Sequence, residues 1–286
     1  MIFITICSRK GYGNSVKTIS IISTTYNKEK ASNLDECLSS IFSLKRAADE
    51  VVLVADGELT DELYTVVEKY SEEFKDTFVF HQTAEKKGNW NASNTAISLC
   101  KSDIIAKIDS DDILLPEYTQ RVLEKFENEN IDICGVYIEE FDSETGESLS
   151  IKKTPAEHDE IYSYAKRRNP FNNPGIAFSK AFADKIGAYK EMERCEDYDF
   201  VVRMLLAGAK GKNIPEVLVK YRTSKDNLKR RKNFKNTKWF IISRWQIYKM
   251  GFSSFKDFFI TTAAQLVLFV MPVKLTEKFY KILRKN

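Results

Sequence analysis

Apolar residues come in blocks that switch between two periods along the chain. Ile19-Ser20-Ile21-Ile22-Ser23 predicts a strand that stops at Thr24-Thr25-Tyr26-Asn27. Leu34, Cys37, Leu38, Ile41 and Phe42 recur at helical spacing within 34–44. Val51-Val52-Leu53-Val54-Ala55 is a continuous, mostly β-branched run, the mark of a parallel strand buried on both faces, and it ends at Asp56-Gly57. A helix over 62–74, a strand over 77–81 and a helix over 90–100 follow. Ile104-Ile105-Ala106-Lys107-Ile108 is another strand, and it runs into Asp109-Ser110-Asp111-Asp112. The pattern continues with a helix over 116–128, a strand over 133–138, a polar stretch to Tyr164 and a Pro-restricted loop, Asn169 to Gly175. A short strand at 176–178, helices over 182–186 and 198–207, and a strand at 217–219 complete the alternation. Strands alternating with helices predict an open α/β sheet with ligands at the strand carboxyl ends.

Three predicted strand ends carry polar or acidic groups: Thr24 to Asn27, Asp56, and Asp109 to Asp112. Packing carboxylates together without a counter-charge is costly. Two readings fit the last cluster, an acidic turn whose Asp112 caps the next helix, or a site for a hard divalent cation such as Mg²⁺ or Mn²⁺. The convergence of strand ends favours the site. Glu196-Asp197 opens a predicted helix, where acids also complement the macrodipole.

The 286 residues suffice for one large or two small domains, and the composition is that of an ordinary globular chain with a sizeable core. The net charge of +3 hides an asymmetry: residues 220–286 hold 17 Lys and Arg against 3 Asp and Glu, so the body before them is acidic. Such a tail implies an anionic partner, nucleic acid or a membrane surface. Lys229 to Lys232 is a basic run, 258–273 lacks charge but falls short of the roughly 20 residues of a spanning helix, and 273–285 interleaves Leu275, Phe279, Ile282 and Leu283 with Lys and Arg. That pattern suits a helix lying in the membrane interface, or one packed on the domain with a solvated basic face. Lipid fits the apolar segment better than nucleic acid does. The five cysteines form no CxxC pair and read as reduced structural thiols. Residues 1–17 are expected to be a leader outside the regular pattern, 18–225 a catalytic domain and 226–286 a basic helical region.

The segments SIISTTYNKE (20–29), VVLVADG (51–57), GNWNASNTAI (88–97), IDSDDILLPE (108–117), EDYDFVVRMLL (196–206) and IPEVLVKYR (214–222) stand in the order seen in family 2 glycosyltransferases of the GT-A fold, which the chain resembles from about 19 to 222. The Asn169–Gly175 loop and the basic tail more narrowly resemble the bacterial AmsE-like enzymes of exopolysaccharide assembly.

The resemblance implies an inverting transfer from a nucleotide sugar, UDP-linked, to a polyprenyl-diphosphate-linked saccharide. The enzyme would act as a peripheral protein on the cytoplasmic face of the membrane. It implies Asp109 for the ribose, Asp111 with Asp109 for Mn²⁺ or Mg²⁺, Thr25, Tyr26, Glu29 and Asp56 for the nucleoside, and Asn94 towards the nucleotide. It implies Asp197 as the base, with Glu196 orienting it or binding the acceptor. Asp56-Gly57 also reads as a plain turn, Asn94 as a solvated helix residue, and Trp90 as either stacking on sugar or packing. Two departures stand out: Asn173 where some relatives have His, and Lys107 where Arg is common, which keeps the charge but not the bidentate fork. The alternative function is a non-catalytic nucleotide-sugar-binding subunit.

Overall fold

The computed structural model describes residues 17–223 and 233–271. The expected leader up to residue 16, the basic run Lys229 to Lys232 and the amphipathic stretch 273–285 lie outside the described residues.

Nine strands form one sheet among the described residues, in the order β3-β2-β1-β4-β8-β6-β9-β5, with β7 paired to β6. The first half is a βα wind. Strands β1 (Ile19–Thr25), β2 (Glu50–Ala55), β3 (Phe78–Gln82) and β4 (Ile104–Asp109) are parallel, and helices α1 (Ala31–Phe42), α2 (Asp61–Glu73) and α3 (Asn89–Leu99) connect them. After β4 the direction breaks. The two-residue β5 (Ile113–Leu114) and α4 (Tyr118–Asn128) lead to β6 (Ile133–Asp142), β7 (Ser148–Lys152) and α5 (His158–Ala165). Then come β8 (Ile176–Ser179), α6 (Lys180–Lys185), α7 (Glu196–Leu206) and β9 (Gly211–Thr223). Strand β8 runs antiparallel to both β4 and β6, while β6 and β9 are parallel. The open α/β sheet expected from the sequence is thus parallel in its first half and mixed in its second.

The alternation along each strand assigns its faces. Ile19, Ile21, Val51, Leu53, Ile104, Ala106 and Ile108 join α1, α2 and α4 in one core. Ile22, Val52, Val54 and Ile105 join α3, α5 and α7 in the other. Lys107 shares its face with Ile105, so this lone cation of β4 lies on the α3/α7 side and is 1% exposed.

Three departures from the sequence pattern have local causes. β9 extends far beyond 217–219 because its pairing with β6 is interrupted, not ended, at Pro215: the register skips from Val136↔Ile214 to Tyr137↔Val217. Pro offers no ladder N–H and sits naturally at a bulge. β7 has no buried residue, so it shows no period. In α5 the only buried residues are Ile161 and Ala165, one turn apart.

The described C-terminal part is a helical hairpin, α8 (Phe234–Lys249) and α9 (Phe255–Val270). Ser254 and Asp257 form a capping box at the start of α9, and Asp257 also pairs with Arg167 at 2.6 Å. Helix α8 lies against the segment leading into α7: Trp239 Nε1 donates to Glu193 at 2.8 Å, and Arg244 stacks on Tyr198 at 3.9 Å.

Candidate active site

The aspartate loop is fastened from three sides. Asp109, the last residue of β4, accepts from Lys107 Nζ at 2.8 Å and from Asn173 Nδ2 at 3.2 Å. Asn173 reaches it because the 169–175 loop closes on β4, where Gly175 N–H donates to the Lys107 carbonyl at 2.8 Å. Gly175 has φ +82°, and a Cβ there would meet Val219 and Val136 methyls at 2.6 and 2.8 Å. Glycine is therefore required both for the turn and for the fit. On the far side Arg222, near the end of β9, donates its backbone N–H to Asp112 Oδ1 at 2.7 Å and its Nε to the Asp111 carbonyl at 2.8 Å, and it pairs with Glu36. From α1's entry, Glu29 accepts from Ser110 Oγ at 3.3 Å and from Asn33 at 2.9 Å.

These bonds divide the three acids. Asp112 is fully buried; its Oδ1 is used and its Oδ2 has no partner. Burial, with Asp111 and Asp109 beside it, pushes its carboxyl well above the usual range. Asp111 has a carboxylate bonded by no side-chain donor among the described residues. Burial, then the charges of Asp109 and Glu29, push it up to about 6. An anion raised by like charges is one that a cation stabilises. No group of three His, Cys, Asp or Glu side chains surrounds a common point among the described residues. The donor set fits a divalent ion held through Asp111, with its remaining oxygens drawn from a ligand and water, as Mg²⁺ commonly is.

A second cluster gathers at the N-terminus of α7. Glu196 accepts from Asn89 Nδ2 at 3.0 Å, and Asn89 Oδ1 accepts from Thr24 Oγ1 at 2.8 Å. Thr24 pairs with Asp109 across β1 and β4. A chain of three polar side chains therefore links the end of β1, the start of α3 and the start of α7. Burial first, then Asp197, raises the Glu196 carboxyl, while the Asn89 bond opposes the rise. Asp197 accepts from Asn169 Nδ2 at 3.3 Å. Before them, Cys195 has φ 65°, a left-handed backbone for a non-Gly residue at the helix entrance. Such backbone strain concentrates at functional sites. Lys107 joins the two clusters. Burial would push its ammonium down, but Asp109, Tyr189 and Glu196 outweigh burial and hold it above its ordinary value.

A third group lines the end of β2. Asp56 accepts from the backbone N–H of Lys87 at 2.9 Å and of Gly88 at 3.0 Å, so its carboxylate anchors the 83–88 loop. Gly88 has φ +104° and begins α3. Lys86 Nζ sits 4.5 Å from the Tyr26 ring centre. Thr25 contributes its carbonyl, which accepts from Asp56 N–H at 2.9 Å, while its hydroxyl is buried without a partner.

Asn94, expected towards the nucleotide, is bonded to the chain's own backbone. Its amide donates to the Tyr189 carbonyl at 2.8 Å and its oxygen accepts from Tyr189 N–H at 2.8 Å, so both ends of the side chain are committed to the chain itself. It ties α3 to the loop after α6. Trp90 packs against the α3/α7 core. The structure adds residues the pattern did not single out for the site: Asn89, Asn169 and Arg222. Each lies in a segment that carried the resemblance, GNWNASNTAI, the Asn169–Gly175 loop and IPEVLVKYR, but none of the three had a role readable from the motif.

The model of the family described as "Glycosyl transferase family 2" matches residues 20–187. The UDP-Gal:alpha-D-GlcNAc-diphosphoundecaprenol beta-1,3-galactosyltransferase of Escherichia coli is 32% identical, over 92% of this chain and 94% of that protein. The amylovoran biosynthesis glycosyltransferase AmsE of Erwinia amylovora is 29% identical over 93% and 99%. Among solved structures, the mannosyltransferase PcManGT of Pyrobaculum calidifontis, in complex with GDP-Man and Mn²⁺, superposes with a TM-score of 0.64 at 15% identity. It covers 89% of this chain and 70% of that one. S. aureus TarS 1-349 with UDP-GlcNAc superposes with a TM-score of 0.62 at 17% identity, covering 88% and 70%. These superpositions establish a shared fold.

Proposed function

From the premise that this chain belongs to glycosyl transferase family 2 and has the GT-A fold, we propose that it is a metal-dependent, inverting transferase. It moves a sugar from a UDP donor to a polyprenyl-diphosphate-linked saccharide in bacterial surface polysaccharide synthesis. The observation that carries this reading is the pairing of two acidic clusters across one sheet face, Asp109–Asp112 and Glu196–Asp197, coupled through Lys107 and Asn89. The E. coli relative, named for a UDP-Gal donor and a diphosphoundecaprenol-linked acceptor, supports the substrate classes.

The residues divide the work by chemistry. Asp56, Tyr26 and Glu29, with the Thr25 carbonyl bracing Asp56, line the nucleoside end. Asp109, fixed by Lys107 and Asn173, accepts from the ribose. Asp111, free of side-chain donors among the described residues, would hold the Mn²⁺ or Mg²⁺. That ion, when bound, neutralises the diphosphate as a Lewis acid. At the other end Asp197 takes the proton of the acceptor hydroxyl. Glu196, with its carboxyl raised and bonded to Asn89, orients the acceptor. A single displacement inverts the anomeric centre without a covalent intermediate, so no nucleophilic side chain is required.

Residues 18–225 form the catalytic domain and 226–286 its membrane-facing part. No described helix is long and apolar enough to cross a bilayer. Helix α9 instead exposes Phe255, Phe259, Val267 and Val270, at 58, 63, 55 and 77%. An exposed apolar helix face in so basic a region suits the cytoplasmic membrane surface.

The test is sugar transfer from a panel of UDP-sugars to a saccharide-diphosphate-lipid with Mn²⁺ or Mg²⁺. Asp111→Ala is expected to abolish transfer, and full activity of that variant in EDTA would sink the metal assignment. Asp197→Asn is expected to keep donor binding and lose transfer; wild-type turnover would remove it as the base. UDP binding without turnover across a broad acceptor panel would favour a non-catalytic binding subunit instead.

A further inference from the structure

Arg244 is the buried cation that the site described so far leaves unused. It is 7% exposed, and its guanidinium lies between two rings, 3.9 Å from the Tyr198 centre and 4.3 Å from that of Phe240. Stacking satisfies the faces of the guanidinium but not the N–H groups in its plane. Nε and Nη1 are enclosed and bond to nothing among the described residues. Unmade hydrogen bonds to a buried charge are expensive. Its neighbours are spent differently: Arg203 is bonded to Asp199 and to the Ile186 and Ala188 carbonyls, and Arg167 to Asp257.

The groups that face Arg244 are Cys195, Asp197 and Tyr198 of the α7 entrance, Phe240 of its own helix, and Arg168 from the turn after α5. Arg168 is exposed and repels it. Among the described residues Asp197 forms no ion pair with either arginine. Two like charges are thus gathered near Asp197, one of them buried, and among the described residues no carboxylate forms an ion pair with either. An anion from outside completes the arrangement, and a guanidinium fork matches phosphate oxygens.

We propose that Arg244 and Arg168 bind the phosphate groups of the acceptor, next to Asp197. This rests on the transferase reading above. The donor diphosphate belongs at Asp111. When the acceptor is a single sugar on a lipid diphosphate, the phosphate and the hydroxyl that reacts sit on the same ring. Residues that hold the phosphate must therefore lie near the base, and α8 places Arg244 among groups that include Asp197.

The experiment titrates the full-length protein with an N-acetylglucosamine diphosphate alkyl ester and with the neutral alkyl glycoside of the same sugar and chain. The wild type is expected to bind the ester at least tenfold tighter. Arg168→Ala and Arg244→Gln are each expected to cut that preference severalfold, and Arg244→Lys to keep part of it. The affinity for UDP with Mn²⁺ serves as the folding control. Arg168 is exposed, so its variant keeps the test sound if Arg244→Gln fails to fold. A wild type with no preference, or an Arg168→Ala variant with the full preference, overturns the proposal. So does loss of binding to phosphatidylglycerol vesicles while the ester preference stays, because the arginines would then read lipid headgroups. Binding needs no turnover. An arginine-dependent preference in a protein that transfers no sugar would overturn the transferase reading and leave the phosphate site standing.

Discussion

Lys107 is the residue on which both halves of the site depend. It is enclosed by the sheet and α7, bonded to Asp109, and raised by Glu196 and Tyr189. Removing a buried cation strands its partners, a loss of about 3–5 kcal/mol. Lys107→Met is therefore expected to lower the melting temperature markedly, and to raise the KM for the donor in whatever fraction folds; thermal unfolding and initial-rate kinetics check both. Asp111 acts in the opposite sense. Its folded carboxyl is raised to about 6, above the unfolded value, so it destabilises the metal-free protein at neutral pH, and that cost is relieved as pH falls through 6. Asp111→Asn is expected to raise the metal-free melting temperature at pH 7.5, with the gain shrinking at pH 5; a scan at the two pH values decides. The aspartate cluster was legible in the sequence because three acids at a strand end have few uses. Asn94 was misleading, since a polar helix residue looks alike whether it faces ligand or the backbone of Tyr189.

At the scale of elements, the βα half was legible to within a few residues, because β1, β2 and β4 are buried almost throughout and each helix buries a stripe. The second half was less so. β7 is exposed, β5 is two residues long, and β9 is broken by a bulge at Pro215, so none carries a clean period. The loop 169–175 was readable as irregular but not as the carrier of Asn173 to Asp109. That contact depends on Gly175. Gly175→Ala forces a Cβ into Val219 and Val136 and strains a positive φ. It is expected to cost about 1–3 kcal/mol of stability and to reduce activity beyond the loss of folded protein, measured as the specific activity of the soluble fraction.

At the scale of the molecule, the chain joins an acidic body to a basic C-terminal region whose described part presents an apolar surface on α9. Phe259→Glu with Val267→Glu is expected to weaken sedimentation with anionic liposomes severalfold, while transfer to a detergent-soluble acceptor persists. Equal sedimentation of wild type and variant would return α9 to an ordinary solvent-facing helix. The charge asymmetry was plain in the sequence, but not that α8 packs on α7 beside the proposed base, since that contact joins residues far apart in the chain. The clamp of Arg222 on the Asp111–Asp112 backbone bears on synthesis. A ribosome delivers the aspartate loop about a hundred residues before the arginine that fixes it. The nascent chain can wind its parallel strands early, but β9 must wait for its place beside β6, and until it arrives the acids lack their last restraint. The aspartate loop is therefore fixed late in the life of each chain, only when the end of the sheet closes on its middle.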